Sequence, residues 1–141
     1  MNAERFFLDT AYVQALLNVR DQYHRPAQVL FPRVRDANEV WVTEAVLTEV
    51  GNALARSQKA ETVTFIERCY TTPNIRVVSV DTALFLRGVE LYRSRADKDW
   101  GLTDCISFVV MQDNGLIDAL TTDEHFQQAG FRALLREETS A

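Results

Sequence analysis

Two rhythms of apolar spacing alternate along this chain: short unbroken apolar runs, and stretches that repeat every three or four residues. Arg5–Leu8 reads as a short apolar strand, ended by Asp9-Thr10. A helix follows over 11–20, with Tyr12, Val13, Leu16 and Leu17 on one face. A second helix over 24–35 carries Val29, Leu30 and Val34; Pro26 suits its first turn, whereas Pro32 is expected to kink or split it. The next strand covers 39–42 and leads into helices over 43–57 and 60–70, the latter stopping before Thr72-Pro73. The clearest strand is 75–80, β-branched and followed by Asp81, a natural N-cap for a helix whose Leu84, Phe85, Leu91 and Tyr92 share a face. After a polar loop over 96–101, Thr103 is expected to cap a helix reaching Asp113, which Asn114-Gly115 ends. A strand over 119–121, a helix over 124–129 and a strand over 131–135 complete the pattern. Strands alternating with helices predict a parallel sheet covered on both faces, a single three-layer α/β domain over 1–141.

Composition narrows the class without changing the fold. A chain of 141 residues, 47% hydrophobic and 25% charged, can bury a core without staples and is not disordered. No apolar run approaches the ~20 residues that a bilayer requires, and the first residues lack a secretory pattern. Cys69 and Cys105 stand alone, which argues against a disulfide framework or a Cys/His zinc site and fits a reducing cytoplasm. The net charge of −5 disfavours a nonspecific binder of polyanions. An acidic protein acting on a phosphate backbone would need cations in its site.

Ligands of open α/β sheets bind outside the carboxyl ends of the strands. Asp9 follows the first strand directly, and Asp123 follows Ala119-Leu120-Thr121-Thr122. The second strand enters the helix that carries Glu49, and Asp104 opens the helix after Thr103. Four carboxylates can thus reach one end of one sheet. Each has a competing reading. Asp9 and Asp123 are good helix caps. Glu49 and Asn52, one turn apart, fall off the apolar stripe of Val46, Leu47, Val50 and Leu54, so that pair faces either solvent or a cleft. Asp104 is the one charged residue from Thr103 to Gln112 on a helix apolar nearly all round, with no Lys or Arg a turn away. A helix dipole supplies ~0.3–1 kcal/mol, too little to offset burial of that charge. A cation must meet it, a distant Arg or a metal, and the metal is favoured. At ~5 Å and an effective dielectric of ~20, each carboxylate pair repels by ~3 kcal/mol. A hard divalent ion removes that repulsion, activates water and acts as a Lewis acid toward a phosphoryl oxygen.

With FFLDTAYVQALLN at its start, TEVGNAL around Glu49, DWGLTDCISF around Asp104 and LTTDEHF around Asp123, the chain resembles the PIN-domain ribonucleases. That family includes the VapC-like toxins of bacterial toxin–antitoxin pairs. The resemblance covers nearly the whole chain in order, and it implies a Rossmann-like sheet whose acids hold Mg²⁺ or Mn²⁺ and hydrolyse RNA. It places the family's four acids at Asp9, Glu49, Asp104 and Asp123, with Thr10 as the hydroxyl after the first and Asn52 as the amide three residues past the second. Asp9 and Asp104 would bind the principal ion, and Glu49 and Asp123 would complete the site directly or through water. Glu44 lacks an amide partner and lies nearer the strand. Asp99 matches an extra acid of some relatives, although Asp97-Lys98-Asp99 also reads as a solvated loop. The resemblance further implies products with a 5′-phosphate and a 3′-hydroxyl, an antitoxin protein as partner, and a homodimer. The apolar-rich helical stretches 46–54 and 63–66 are expected to leave surface for that dimer.

Other residues take quieter readings. Trp100 anchors its loop or stacks on a base. His24 and His125 lack a His or Cys partner at ligand spacing and read as surface or packing residues. Arg56, Lys59, Arg93 and Arg95 are candidate contacts to an RNA backbone. Two rivals to the ribonuclease reading stand. An aspartate-nucleophile phosphatase would want a second Asp two residues after Asp9, where Ala11 stands, and a catalytic Lys that Lys59 matches poorly. A noncatalytic RNA- or protein-binding module on the same fold would not require four acids.

Overall fold

In the computed structural model, which describes residues 2–140, five short strands form one sheet, all parallel, in the order β3-β2-β1-β4-β5. The strands are β1 (Arg5–Leu8), β2 (Glu39–Thr43), β3 (Ile75–Val78), β4 (Asp118–Leu120) and β5 (Arg132–Ala133). Helices α1 (Thr10–Leu17) and α2 (His24–Arg35) lie between β1 and β2, and α3 (Glu44–Ala53) and α4 (Lys59–Thr71) lie between β2 and β3. Helices α5 (Thr82–Ser94) and α6 (Leu102–Asp113) connect β3 to β4, α7 (Glu124–Gln128) precedes β5, and α8 (Leu134–Ser140) follows it. Successive strand residues point to opposite faces. Phe6 and Phe7 are both fully buried, so helices cover the sheet on both sides, the three-layer arrangement the pattern predicts.

The chain order reverses between β1 and β4. Connections leave β1 toward β2 and β3 on one side, and β4 and β5 lie on the other. Such a switch point opens a crevice at the carboxyl ends of its two strands. The residues directly after β1 and β4 therefore face one another there. The ladder itself extends to this point, with the Asp9 N–H donating to the Leu120 carbonyl at 3.3 Å.

Several elements differ from expectation. Helix α2 runs unbroken through Pro32. Pro32 and Gln28, whose carbonyl the proline leaves without a donor, are both exposed, so water can take the place of the missing bond. Gly101, not Thr103, caps α6, and Thr103 lies inside the helix. On α5, Leu84 and Leu91 pack against the core, but Phe85 and Tyr92 are 42% and 53% exposed, so the four do not share one buried face. Strand β3 stops at Val78, and β5 is two residues long because Leu134 and Leu135 open α8. Helix α1 ends at Leu17, where Asn18 takes an extended conformation and its side chain accepts the Arg20 N–H.

Burial and close approach together set the position of α6. The helix is buried on nearly every side, from Cys105 through Met111, which fixes its N-terminus rigidly against the sheet. Gly88 lets α5 approach it closely, since a β-carbon there would lie 2.6 Å from Ile106 Cγ1. The stripe of Val46, Leu47, Val50 and Leu54 is wholly taken up by the core, which corrects the expectation that stretch 46–54 leaves surface for a dimer. In stretch 63–66, Val63 is half exposed while Phe65 and Ile66 pack on the core. Cys69 and Cys105 are buried free thiols. No described helix is long and apolar enough to cross a membrane.

Candidate functional site

Asp9 follows β1 with an extended backbone, in the N-cap position of α1. Its side chain makes no capping hydrogen bond, so capping is not what holds it. Instead its carboxylate points into the crevice, where Thr121 Oγ1 donates to Oδ2 at 2.7 Å. Thr121 in turn accepts the Asp123 N–H at 3.0 Å. Thr121 thus ties the end of β1 to the turn after β4. Asp9 is 5% exposed, and burial pushes its carboxyl up to about 7. The nearby Asp104 and Asp123 carboxylates add to that rise, and the Thr121 hydrogen bond opposes it.

Asp104 sits in the first turn of α6, where Oδ2 accepts the Gly101 N–H at 3.1 Å. Burial raises its pKa above the ordinary carboxylate value, with the Asp123 charge adding to the effect and the His125 and Gly101 hydrogen bonds opposing it. Asp123 does cap its helix, as the capping reading has it, with Oδ1 accepting the His125 N–H at 2.9 Å. The same Asp123 carboxylate faces the crevice.

His125 corrects the sequence reading. Its Nδ1 lies 3.0 Å from Asp104 Oδ2 and 3.3 Å from Asp123 Oδ1. Ligand atoms of Asp104, Asp123 and His125 lie within 4.8 Å of one another, a grouping that can hold a metal ion. A search for His or Cys partners passes over this residue, because its partners are carboxylates. The signal that could find it is the spacing Asp123-x-His125 at a helix start, which turns the ring back over the cap. His24 does pack, with Nδ1 2.8 Å from the Ala15 carbonyl.

Glu49 is reached from the neighbouring helix, as Thr10 Oγ1 donates to its Oε1 at 2.7 Å. Thr10 adjoins Asp9, so this bond brings Glu49 to the rim of the crevice, exposed and apart from the closely grouped ligand atoms. Glu44 borders the same groove as Glu49, and the Tyr70 hydroxyl donates to it at 2.7 Å. Glu49 and Asn52 line a groove of about 420 Å³ with Thr48, Phe85, Thr103 and Ile106. Asp99 remains an exposed loop residue outside the grouping.

Trp100 is an anchor: it is buried, donates from Nε1 to Gln128 Oε1 at 2.9 Å and meets Phe108 edge-on at 5.0 Å. The Arg95 guanidinium lies 4.9 Å from the Trp100 ring and pairs with Asp97, and Arg93 pairs with Glu90. Arg56 and Lys59 are exposed.

A donor set of carboxylate oxygens with one imidazole, in a half-buried crevice where the acids repel one another, suits a divalent cation. Comparison with solved structures agrees with this architecture. Mycobacterium tuberculosis VapC20, a Sarcin-Ricin loop cleaving toxin, is similar at a TM-score of 0.81 and 26% identity, over 90% of this chain and 96% of that one. VapBC2 from Rickettsia felis, bound to a DNA fragment from their promoter, is similar at 0.61 and 11% identity, over 90% and 94%. FitAcB from Neisseria gonorrhoeae is similar at 0.60 and 17% identity, over 91% and 95%. The last two share the fold. Comparison with curated protein sequences gives no match. The PIN domain family matches residues 6–132, nearly the whole span from β1 to β5, and the chain belongs to that family.

Proposed function

We propose that this chain is a divalent-metal-dependent endoribonuclease, acting in the cytoplasm as the toxin of a toxin–antitoxin pair. One observation carries the reading: Asp104, Asp123 and His125 converge to within 4.8 Å, beside a buried Asp9 whose carboxyl responds to both acids. Asp9 and Asp104 hold the principal Mg²⁺ or Mn²⁺, and Glu49 and Asp123 complete the site directly or through water. Thr10 orients Glu49, and Asn52 lines the adjoining groove, which takes the RNA. Asp99, exposed in its loop, has no place in this site. The ion supplies Lewis acidity toward water and toward a phosphoryl oxygen. With no cation bound, Asp9 takes up a proton as pH falls through about 7, which lowers the repulsion among the acids. The ion also supplies the positive field that a chain of net charge −5 lacks. The likeness to VapC20 supports an RNA target and, through the toxin role, an antitoxin protein that restrains the activity.

The test is thermal. An ion that binds only the native state at ~100 times its Kd stabilises it by ~2.7 kcal/mol, a Tm rise of roughly 5–10 °C for a chain of this size. Mg²⁺ or Mn²⁺ is expected to produce that rise, and Asp104→Asn to abolish most of it. An unchanged rise in Asp104→Asn would remove the residue from the site.

The same reading includes a single domain over 1–141 and a homodimer. With the α3 stripe buried, exposed Leu86 and Tyr92 on α5 offer the apolar surface. Sedimentation at micromolar concentration is expected to give twice the chain mass, and a monomer throughout that range counts against the dimer.

A further inference from the structure

We propose that His125 is itself a ligand of the bound cation and tilts the site from Mg²⁺ toward Mn²⁺. This rests on the metal-dependent reading above and goes beyond it, to which ion the site selects and which residue selects it.

The geometry around one nitrogen carries the inference. His125 Nδ1 has two carboxylate oxygens in reach, Asp104 Oδ2 at 3.0 Å and Asp123 Oδ1 at 3.3 Å. A single N–H can point well at one oxygen but not at both. Cis ligands on an octahedral ion with bonds of ~2.1 Å are separated by ~3.0 Å, the square root of two times the bond length. The two observed separations lie near that edge. Both oxygens are also fixed before any ion arrives, since Asp104 Oδ2 accepts the Gly101 N–H and Asp123 Oδ1 accepts the His125 N–H. Two oxygens and one nitrogen are therefore grouped within 4.8 Å before any ion arrives, with the nitrogen at cis-ligand distance from each oxygen.

That nitrogen matters for selection. Mg²⁺ favours oxygen donors and retains its waters, whereas imidazole favours first-row transition ions. A face built from carboxylates alone would give Mn²⁺ little advantage. Replacing one oxygen by an imidazole nitrogen gives it one.

The experiment uses the full chain, stripped of metal and titrated with Mn²⁺ or Mg²⁺, in wild type and His125→Gln. Wild type is expected to prefer Mn²⁺ by about tenfold or more, and His125→Gln to lose most of that preference, with the larger loss of affinity on the Mn²⁺ side. Pulsed EPR of Mn²⁺-loaded wild type is expected to show coupling to an imidazole ¹⁴N, absent from the variant. The wild-type spectrum needs no variant and so does not depend on how well the substitution folds. Bound Mn²⁺ without ¹⁴N coupling would make His125 only a hydrogen-bond donor to Asp104, overturning this inference while the metal-dependent nuclease stands. Equal affinity for the two ions would overturn the selectivity. Failure of wild type to bind either ion would overturn the metal site and this inference together.

Discussion

Asp9→Asn is expected to yield a folded protein whose metal-dependent RNA cleavage lies roughly 100-fold or more below wild type. Asparagine keeps the shape of the side chain, and its carbonyl oxygen can still accept the Thr121 hydroxyl that now meets Asp9 Oδ2 at 2.7 Å. Only the charge is lost. Since the Asp9 carboxylate makes no capping hydrogen bond, a loss of activity cannot be assigned to a weakened start of α1. RNA affinity measured without metal is expected to hold or improve slightly, because one repulsive charge has gone. The assay is cleavage of a mixed RNA pool in Mg²⁺ or Mn²⁺, with EDTA as control and free of any co-purified inhibitor. Equal metal-dependent activity in both proteins would sink the role assigned to Asp9. No activity in either would favour the noncatalytic binding module.

Much of this site is legible before any coordinates, because it depends on where strands end. Asp9 after Phe6-Phe7-Leu8 and Asp123 after Thr121-Thr122 follow from the rule that α/β crevices open at carboxyl ends of strands. Asp104 is legible from energetics, as a charge with no local partner on an apolar helix. The strand order is not legible from periodicity, although it is what sets β1 beside β4 and makes the crevice. Nor is His125, whose partners are an N-cap carboxylate two residues back and an acid 21 residues back on another helix. Periodicity likewise cannot tell which face of α5 is covered, since Phe85 and Leu84 are equally apolar and packing on α6 makes the choice at Gly88. Gly101 takes the cap position, with its own N–H donating to the Asp104 carboxylate three residues on, and Thr103 falls inside the helix.

The buried acid also sets how stability depends on pH. Asp9 has a folded pKa of about 7, whereas a carboxyl in the unfolded chain titrates near ~3.9. Between these values the unfolded chain releases the proton and the native state keeps it. The native state then binds more protons, so stability falls as pH rises through this window and levels off above it. The difference between these two values corresponds to ~4 kcal/mol, and Asp104, raised for the same reason, acts in the same direction. Metal-free wild type and Asp9→Asn are therefore expected to match near pH 4 and to diverge by up to ~4 kcal/mol in favour of the variant by pH 8. Urea denaturation at a series of pH values, with constant m, measures the difference. Saturating Mg²⁺ or Mn²⁺ is expected to narrow the gap chiefly by stabilising wild type, because the ion binds the ionised native form and the variant has lost a ligand. Parallel pH profiles for the two metal-free proteins would show that Asp9 is ionised at no cost in the crevice, and would remove the electrostatic reason for a cation there.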